Sequence, residues 1–458
     1  MGILDKYASA LDRLEPIKYT GTVEKVQGLL IEARGPRAVV GELCQIVLPE
    51  AKRILWAEVV GLQGPVVQIM PYDELEGLTI GARVVAMGEQ LSVPVSDRLL
   101  GRVLDSMGKP IDGKGDVGSP LWYPIFRAPP DVLKRRRIHE KIATGVRSID
   151  SLLTVGKGQR MGIFSGSGVG KTTLLGMMAR NTSADVSVIA LIGERGREVR
   201  EFIENDLGPE GLARAVVVVA SSNKPPLARI RGAYVATAIA EYFRDQGKDV
   251  MLFFDTVTRF ARAQREIGLS IGEPPANRGY TPSVFSLLPK LLERAGTSDR
   301  GSITGLYSVL VEGDDLDEPI ADAVRGHLDG HIVLSRGLAQ RSHYPAVDVL
   351  ASVSRLADKV CGPRVRQACA QFRRLLAVYR EAEDLINVGA YVEGTNPEID
   401  AAIAKMPMMN RFLTQASEER FTLADTLKEF GEVVGVEIPE EELGGEALSL
   451  SSPAAARA

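Results

Sequence analysis

Residues 160–173 read RMGIFSGSGVGKTT. An apolar run, a small-residue loop and a lysine followed by two threonines stand in the order strand, turn, helix start. Gly166, Gly168 and Gly170 let backbone N–H groups converge on an anion without side chains in the way, and the helix N-terminus adds partial positive charge. Lys171 can then reach the β- and γ-phosphates of a nucleotide, and the Thr172 hydroxyl suits Mg²⁺. The nucleotide-binding set is Gly166, Ser167, Gly168, Val169, Gly170, Lys171, Thr172 and Thr173. The general phosphate-loop pattern asks for glycine at position 165, where this chain has Ser165. The glycines nearest the phosphates remain, so the departure is mild.

Two carboxylates complete the chemistry. Asp255 follows VMLFF (250–254), the strand-end position whose carboxylate holds Mg²⁺ against the phosphates. A lone Asp there can instead cap the next helix. Glu194 lies in GERGREV, just after VSVIALI (186–192), where it can orient or deprotonate the attacking water. Its other reading is a surface carboxylate paired with Arg195 or Arg197. Further along, Tyr344 before Pro345 offers a flat face for an adenine. Arg355, in SVSR, is a surface or capping residue within one chain but could reach a neighbour's γ-phosphate in a ring. His327 and His331 straddle Gly330, a poor metal spacing, and the acidic run 312–318 reads as a solvated loop.

The elements that must position these residues alternate strand and helix between 160 and 254. Their Val-, Ile- and Phe-rich runs lack polar alternation, as a parallel sheet covered on both faces requires. Ligands of such sheets bind beyond the carboxyl ends of the strands. The fold class expected is α/β, a mostly parallel P-loop sheet behind an N-terminal β-barrel and ahead of a C-terminal helical domain. The barrel spans 20–90, with turns at Gly35-Pro36, Gly61, Gly64-Pro65 and Gly77. The ATPase domain follows over 91–361, opening with a turn-rich connector that ends in the basic run Lys134–Arg137, read as solvated surface. Helices fill 362–438, and 439–458 reads as a disordered tail. Ahead of the barrel, residues 1–19 carry Ile3, Leu4, Tyr7, Leu11 and Leu14 at helical spacing. That helix either packs on its own barrel or docks a partner or membrane surface.

Length and composition agree with a large multidomain enzyme: 458 residues, 45% hydrophobic and 25% charged. With no leader and no long apolar run, the expected location is the cytoplasm. The net charge of -4 speaks against a protein that coats nucleic acid. Three cysteines, Cys44, Cys361 and Cys369, match no metal spacing and read as reduced and buried.

PAVDVLASVS (345–354), GERGREV, LFFDTVTRFARAQRE and LGRVLDSMGKPIDG resemble the rotary ATP synthase α/β superfamily, whose core is RecA/F1-like. Residues 266–296, 309–336 and 379–400 resemble its type III secretion ATPases, the last most closely the flagellar export ATPase. The resemblance covers about 20–415. It implies Mg²⁺-dependent ATP hydrolysis coupled to protein export, with Lys171 and Thr172 on phosphate and metal, Glu194 as the catalytic carboxylate, Arg355 as an arginine finger given to the adjacent subunit, and Tyr344 lining the adenine pocket. It further implies a homohexamer at the inner membrane, a stator-like regulator on the N-terminal helix, a coiled-coil stalk near the loop within 266–296, and contacts with the export gate and chaperone–substrate complexes. A virulence-secretion ATPase shares nearly every motif. A hexameric RNA translocase would show RNA-stimulated turnover, an ion-driven synthase subunit would need a partner subunit, and a non-enzymatic scaffold would bind ATP without turnover.

Overall fold

The computed structural model describes residues 18–444 except 49, 120, 312 and 314. The expected N-terminal helix therefore falls almost wholly outside the described residues, as do 445–458 of the expected tail.

Six antiparallel strands close a barrel: β1 (Thr20–Gln27), β2 (Leu30–Arg34), β3 (Glu42–Leu48), β4 (Arg53–Gln63), β5 (Val66–Pro71) and β6 (Arg83–Gln90), in the order β1-β2-β5-β4-β3-β6. Closure removes exposed sheet edges. Val23, Ile31, Ile46, Leu55, Val59, Ile69 and Val84 fill the interior.

The second sheet contains β7 (Arg102–Leu104), β8 (Arg160–Ser165), β9 (Val186–Ile192), β10 (Ala215–Ala220), β11 (Asp249–Asp255), β12 (Ser302–Leu310), β13 (Gly330–Leu334) and β14 (Val347–Ser354). Their spatial order is β14-β13-β8-β12-β11-β9-β10-β7. All neighbours on this path are parallel except β14, which runs antiparallel to β13 at the edge. Every residue of β9 is buried, as a strand covered on both faces demands. The helices α1 (Lys171–Asn181), α2 (Pro226–Asp245), α3 (Val257–Ser270) and α4 (Pro282–Leu292) cover the sheet.

Buried charge fixes the barrel to this sheet. Arg231 of α2 forks onto Glu58 of β4, which also accepts from Tyr72 Oη at 2.6 Å. Arg294 similarly forks onto Glu241 at 2.9 and 2.7 Å, with Ile125 O taking a further N–H. The basic run read as solvated surface is partly anchored instead. Arg135 donates to Ala295 O at 3.0 Å, and Arg136 to Arg300 O at 3.0 Å, tying the connector to the turn before β12.

The C-terminal layer comprises α5 (Pro363–Asn387), α6 (Pro397–Leu413) and α7 (Leu423–Val434), joined by Phe372, Phe412 and Phe430. Residues 440–443, expected within a disordered tail, form a helical turn. Glu442 is buried because its carboxylate accepts from Arg364 N at 3.1 Å and Val365 N at 2.9 Å, capping the start of α5. The stretch 266–296, read as a long loop before a helix, is mostly helical. Only 271–281 separates α3 from α4, and Glu273 pins that loop by accepting from Ser283 N and Oγ at 2.8 and 2.6 Å.

Candidate functional site

The phosphate loop leaves β8 and enters α1. Ser165 is still regular strand: it pairs with Leu310 and Leu334, and its carbonyl accepts from Val311 N at 2.9 Å. No glycine conformation is required there, which explains why the chain tolerates serine at the first motif position. The left-handed turns come later, at Gly168 (φ +77°) and Gly170 (φ +89°). Val169 between them is buried and anchors the loop. The ring of Tyr344 lies over Gly170, close enough that a Cβ there would meet ring carbons at 3.4 Å. Sequence distance hid this contact between residues 170 and 344. Thr172 and Thr173 sit in the first turn of α1.

Three strand ends converge beside the loop. Lys171 Nζ bonds Asp255 Oδ1 and stands 3.9 Å from Glu194 Oε1. Asp255 is buried, and its Oδ1 also accepts from Ser308 Oγ at 2.5 Å. The helix-cap alternative for Asp255 goes to its neighbour: Thr256 Oγ1 accepts from Arg259 N at 3.2 Å and caps α3. Glu194 is buried and takes neither of the arginines beside it. Arg195 pairs with Glu198 at 3.3 Å and Arg197 with Glu201 at 3.7 Å. Glu194 instead meets Arg259 Nη2 at 3.1 Å, and the same guanidinium donates to Gly193 O. Burial first, then the charge of Asp255, pushes the Glu194 carboxyl up to about 7, helped by a hydrogen bond shared with Glu198 and opposed by Lys171 and Arg259. A carboxyl with its pKa near neutrality is suited to exchanging a proton with water.

Arg259, Glu198 and Ser308 were missed from the sequence. Glu198 is one helical turn from Glu194, and Arg259 is one turn from Asp255, a spacing that could have drawn attention to both. Ser308 gives no such signal, because it reaches Asp255 across neighbouring strands.

Arg355 lies apart from this cluster. It directly follows β14, where Ser354 is opposite Gly330, so it sits at the amino end of the parallel strands while Lys171 lies past the carboxyl end. The intervening β8 is six residues long. At ~3.3 Å per residue that is roughly 20 Å, farther than an arginine side chain extends. Arg355 is exposed, and its side chain makes no hydrogen bond or ion pair among the described residues; its backbone N donates to Asp329 O at 2.9 Å. His331, on the neighbouring strand, bonds Ala351 O at 3.1 Å.

The chain matches the ATP synthase alpha/beta family, nucleotide-binding domain, over 145–354 and that family's beta-barrel domain over 23–88. Residues 361–432 match the T3SS EscN ATPase C-terminal domain. It is 61% identical over 442 residues to the flagellum-specific ATP synthase of Treponema pallidum, covering 96% of this chain and 99% of the relative. The chain belongs to the ATP synthase α/β family. Within that family it also resembles the type 3 secretion system ATPase of Xanthomonas euvesicatoria, at 50% identity over 89% of this chain and 92% of the relative. Its fold matches the assembled ATPase EscN in complex with its central stalk EscO from enteropathogenic E. coli, with a TM-score of 0.84 and 43% identity over 90% of this chain and all of that one. Family membership makes ATP the substrate. Among the described residues, no helix is long and apolar enough to cross a membrane.

Proposed function

We propose that this chain is the ATPase of a flagellar type III protein export apparatus, hydrolysing ATP at sites shared between neighbouring subunits of a homohexamer. The observation that carries the reading is the separation just described. Lys171, Glu194 and Asp255 form one cluster, while the exposed Arg355 occupies the opposite end of the same sheet and cannot reach it. A neighbouring copy that presents its own Arg355 to the cluster would complete the site. The flagellar assignment is supported by the higher identity to the flagellum-specific ATP synthase of Treponema pallidum, 61%, than to the type 3 secretion system ATPase of Xanthomonas euvesicatoria, 50%.

The residues present fit a hard divalent cation. Thr172 offers a hydroxyl in the first turn of α1, and Asp255 a buried carboxylate at a strand end, both oxygen donors of the kind Mg²⁺ takes. When bound, Mg²⁺ neutralises charge on the β- and γ-phosphates. Lys171, which bonds Asp255, is long enough to reach the phosphates. The loop from Gly166 to Thr173 holds the phosphate chain with backbone N–H groups, and Tyr344 covers the loop where the base stacks. Glu194 orients the attacking water and accepts its proton, while Arg259 fixes the carboxylate. The neighbour's Arg355 meets the charge that develops on the γ-phosphoryl oxygens. A central stalk in the ring and a stator-like partner at the N-terminal segment complete the proposed assembly, peripheral to the membrane and facing the export gate and its chaperone–substrate complexes.

The test is steady-state ATPase activity across protein concentration for the native chain, Glu194→Gln, Arg355→Ala and an equimolar mixture of the two variants. Mixed rings contain interfaces with both native groups, so activity should return in the mixture. A mixture as inactive as its components, with native turnover per chain flat in concentration, would mean each chain works alone.

A further inference from the structure

Away from the phosphate loop, buried carboxylates satisfy both of their oxygens within the chain. Glu42, Glu58, Asp150, Glu241 and Glu442 each accept hydrogen bonds at one carboxylate oxygen and at the other, as a desolvated anion requires. Asp255 does not. Its two donors, Lys171 Nζ and Ser308 Oγ, both meet Oδ1, and Oδ2 accepts no hydrogen bond among the described residues. One-sided satisfaction of a buried carboxylate marks an oxygen kept for a ligand from outside the chain.

Strand register explains how Ser308 comes to the other oxygen. Tyr307 of β12 lies opposite Phe254 of β11, so the next residues, Ser308 and Asp255, are also neighbours. Alternation turns both to the face opposite the Phe254–Tyr307 ring contact. Ser308 is fully buried in an otherwise apolar stretch of the strand, and the one hydrogen bond of its hydroxyl among the described residues is the 2.5 Å bond to Asp255 Oδ1. The hydroxyl takes no part in the pairing of the sheet. In the proposed function Lys171 serves the phosphates, which leaves Ser308 as the donor that stays with Asp255.

We propose that Ser308 is a positioning residue for Mg²⁺: its hydroxyl holds Oδ1 of Asp255 and so commits Oδ2 to the cation. The inference rests on the assignment of Asp255 to Mg²⁺ made above and adds the group that orients it. A donor behind a ligating carboxylate fixes the direction in which it binds, and losing such a donor typically costs ~10- to 100-fold in metal affinity.

The experiment titrates Mn²⁺, which takes the same oxygen ligands as Mg²⁺, into the full chain with ADP bound. Free Mn²⁺ is read by electron paramagnetic resonance, so no turnover is involved. Native chain, Ser308→Ala, Ser308→Thr and Asp255→Asn are compared, with ADP affinity in EDTA as the control for an intact phosphate loop. Ser308→Ala should bind Mn²⁺ ~10- to 100-fold more weakly with native ADP affinity in EDTA, and Ser308→Thr, which keeps the hydroxyl, should restore the metal. Weak binding by Asp255→Asn together with native binding by Ser308→Ala overturns the proposal and leaves the proposed function standing. Native binding by both variants removes Asp255 from the metal site, and the role of Ser308 falls with it. A parallel loss of ADP affinity in EDTA for Ser308→Ala, or a threonine variant as weak as the alanine, overturns the proposal in favour of a packing role.

Discussion

The two ends of the nucleotide sheet treat charge differently. At the carboxyl end, Lys171, Asp255, Glu194 and Arg259 are buried or half-buried and satisfy one another within the chain. At the amino end, Arg160 is equally committed, bonding Asp329 at 3.2 Å and pairing with Glu293. Arg355 is beside that pair and is left out of it. An exposed arginine held by its backbone to Asp329 O, with no hydrogen bond or ion pair from its guanidinium among the described residues, costs little and stabilises little. The difference teaches that a group's contribution to the fold and its contribution to chemistry can be separated on one sheet. In the proposed function the carboxyl end contributes to both, whereas Arg355 acts only if something outside the chain receives it.

The comparison can be broken most sharply at Arg355. Arg355→Ala should lower turnover by ~10³- to 10⁵-fold, the range of an arginine finger, while nucleotide binding and the thermal midpoint stay native. A drop in the midpoint would mean that Arg355 serves the fold and that the two ends are alike. Glu194→Gln comes next, with an expected loss of ~10²- to 10⁴-fold in turnover. The substitution keeps the shape of the side chain, so bound nucleotide should accumulate without being cleaved, read by single-turnover quenching.

Much of this arrangement was legible in the sequence. Lys171, Glu194 and Asp255 each follow an apolar run too continuous to be a half-exposed strand, and that alone sends them to one edge of a parallel sheet. The barrel and the helical layer were legible for the same reason, since turn spacing and periodicity are local. Contacts between distant segments were not legible. Nothing near Tyr344 says that its ring will lie over Gly170. Nothing near Glu442 says that it will cap α5, and an acidic run after a proline reads as solvated until its partner helix is in place. Arg135 and Arg136 mislead in the same way, because the carbonyls that hold them belong to residues about 160 positions away.

Buried carboxylates sharpen the comparison further, because Asp150 shows what one does without a cation. It lies in the helix Arg147–Leu152 and accepts from Thr144 N and Oγ1, both at 2.8 Å, and from Gly145 N at 2.9 Å. Burial nonetheless outweighs these bonds and pushes its carboxyl up to about 6. An unfolded Asp releases its proton near ~3.9. Between those values the folded chain binds more protons than the unfolded one, so stability is greatest below that range and falls as pH rises through about 6. The loss should reach about 3 kcal/mol at most, read as denaturant midpoints across pH. Asp150→Asn should flatten the profile. A native profile already flat between pH 4 and 6 would mean that the three hydrogen bonds keep Asp150 ionised.

The smallest effect belongs to Tyr344, and it separates binding from chemistry at the carboxyl end. Its ring, 43% exposed, covers Gly170, and its hydroxyl makes no hydrogen bond among the described residues. An aromatic face stacking on a base contributes equally before and during the reaction, so its loss should raise KM and leave kcat alone. At ~0.5–1.5 kcal/mol for such a contact, Tyr344→Ala should raise KM roughly 2- to 10-fold. Tyr344→Phe keeps the ring and should restore it. A fall in kcat instead would mean that the ring sets the shape of the phosphate loop through Gly170, and Tyr344 would then belong with Lys171 and Glu194 and not with the base.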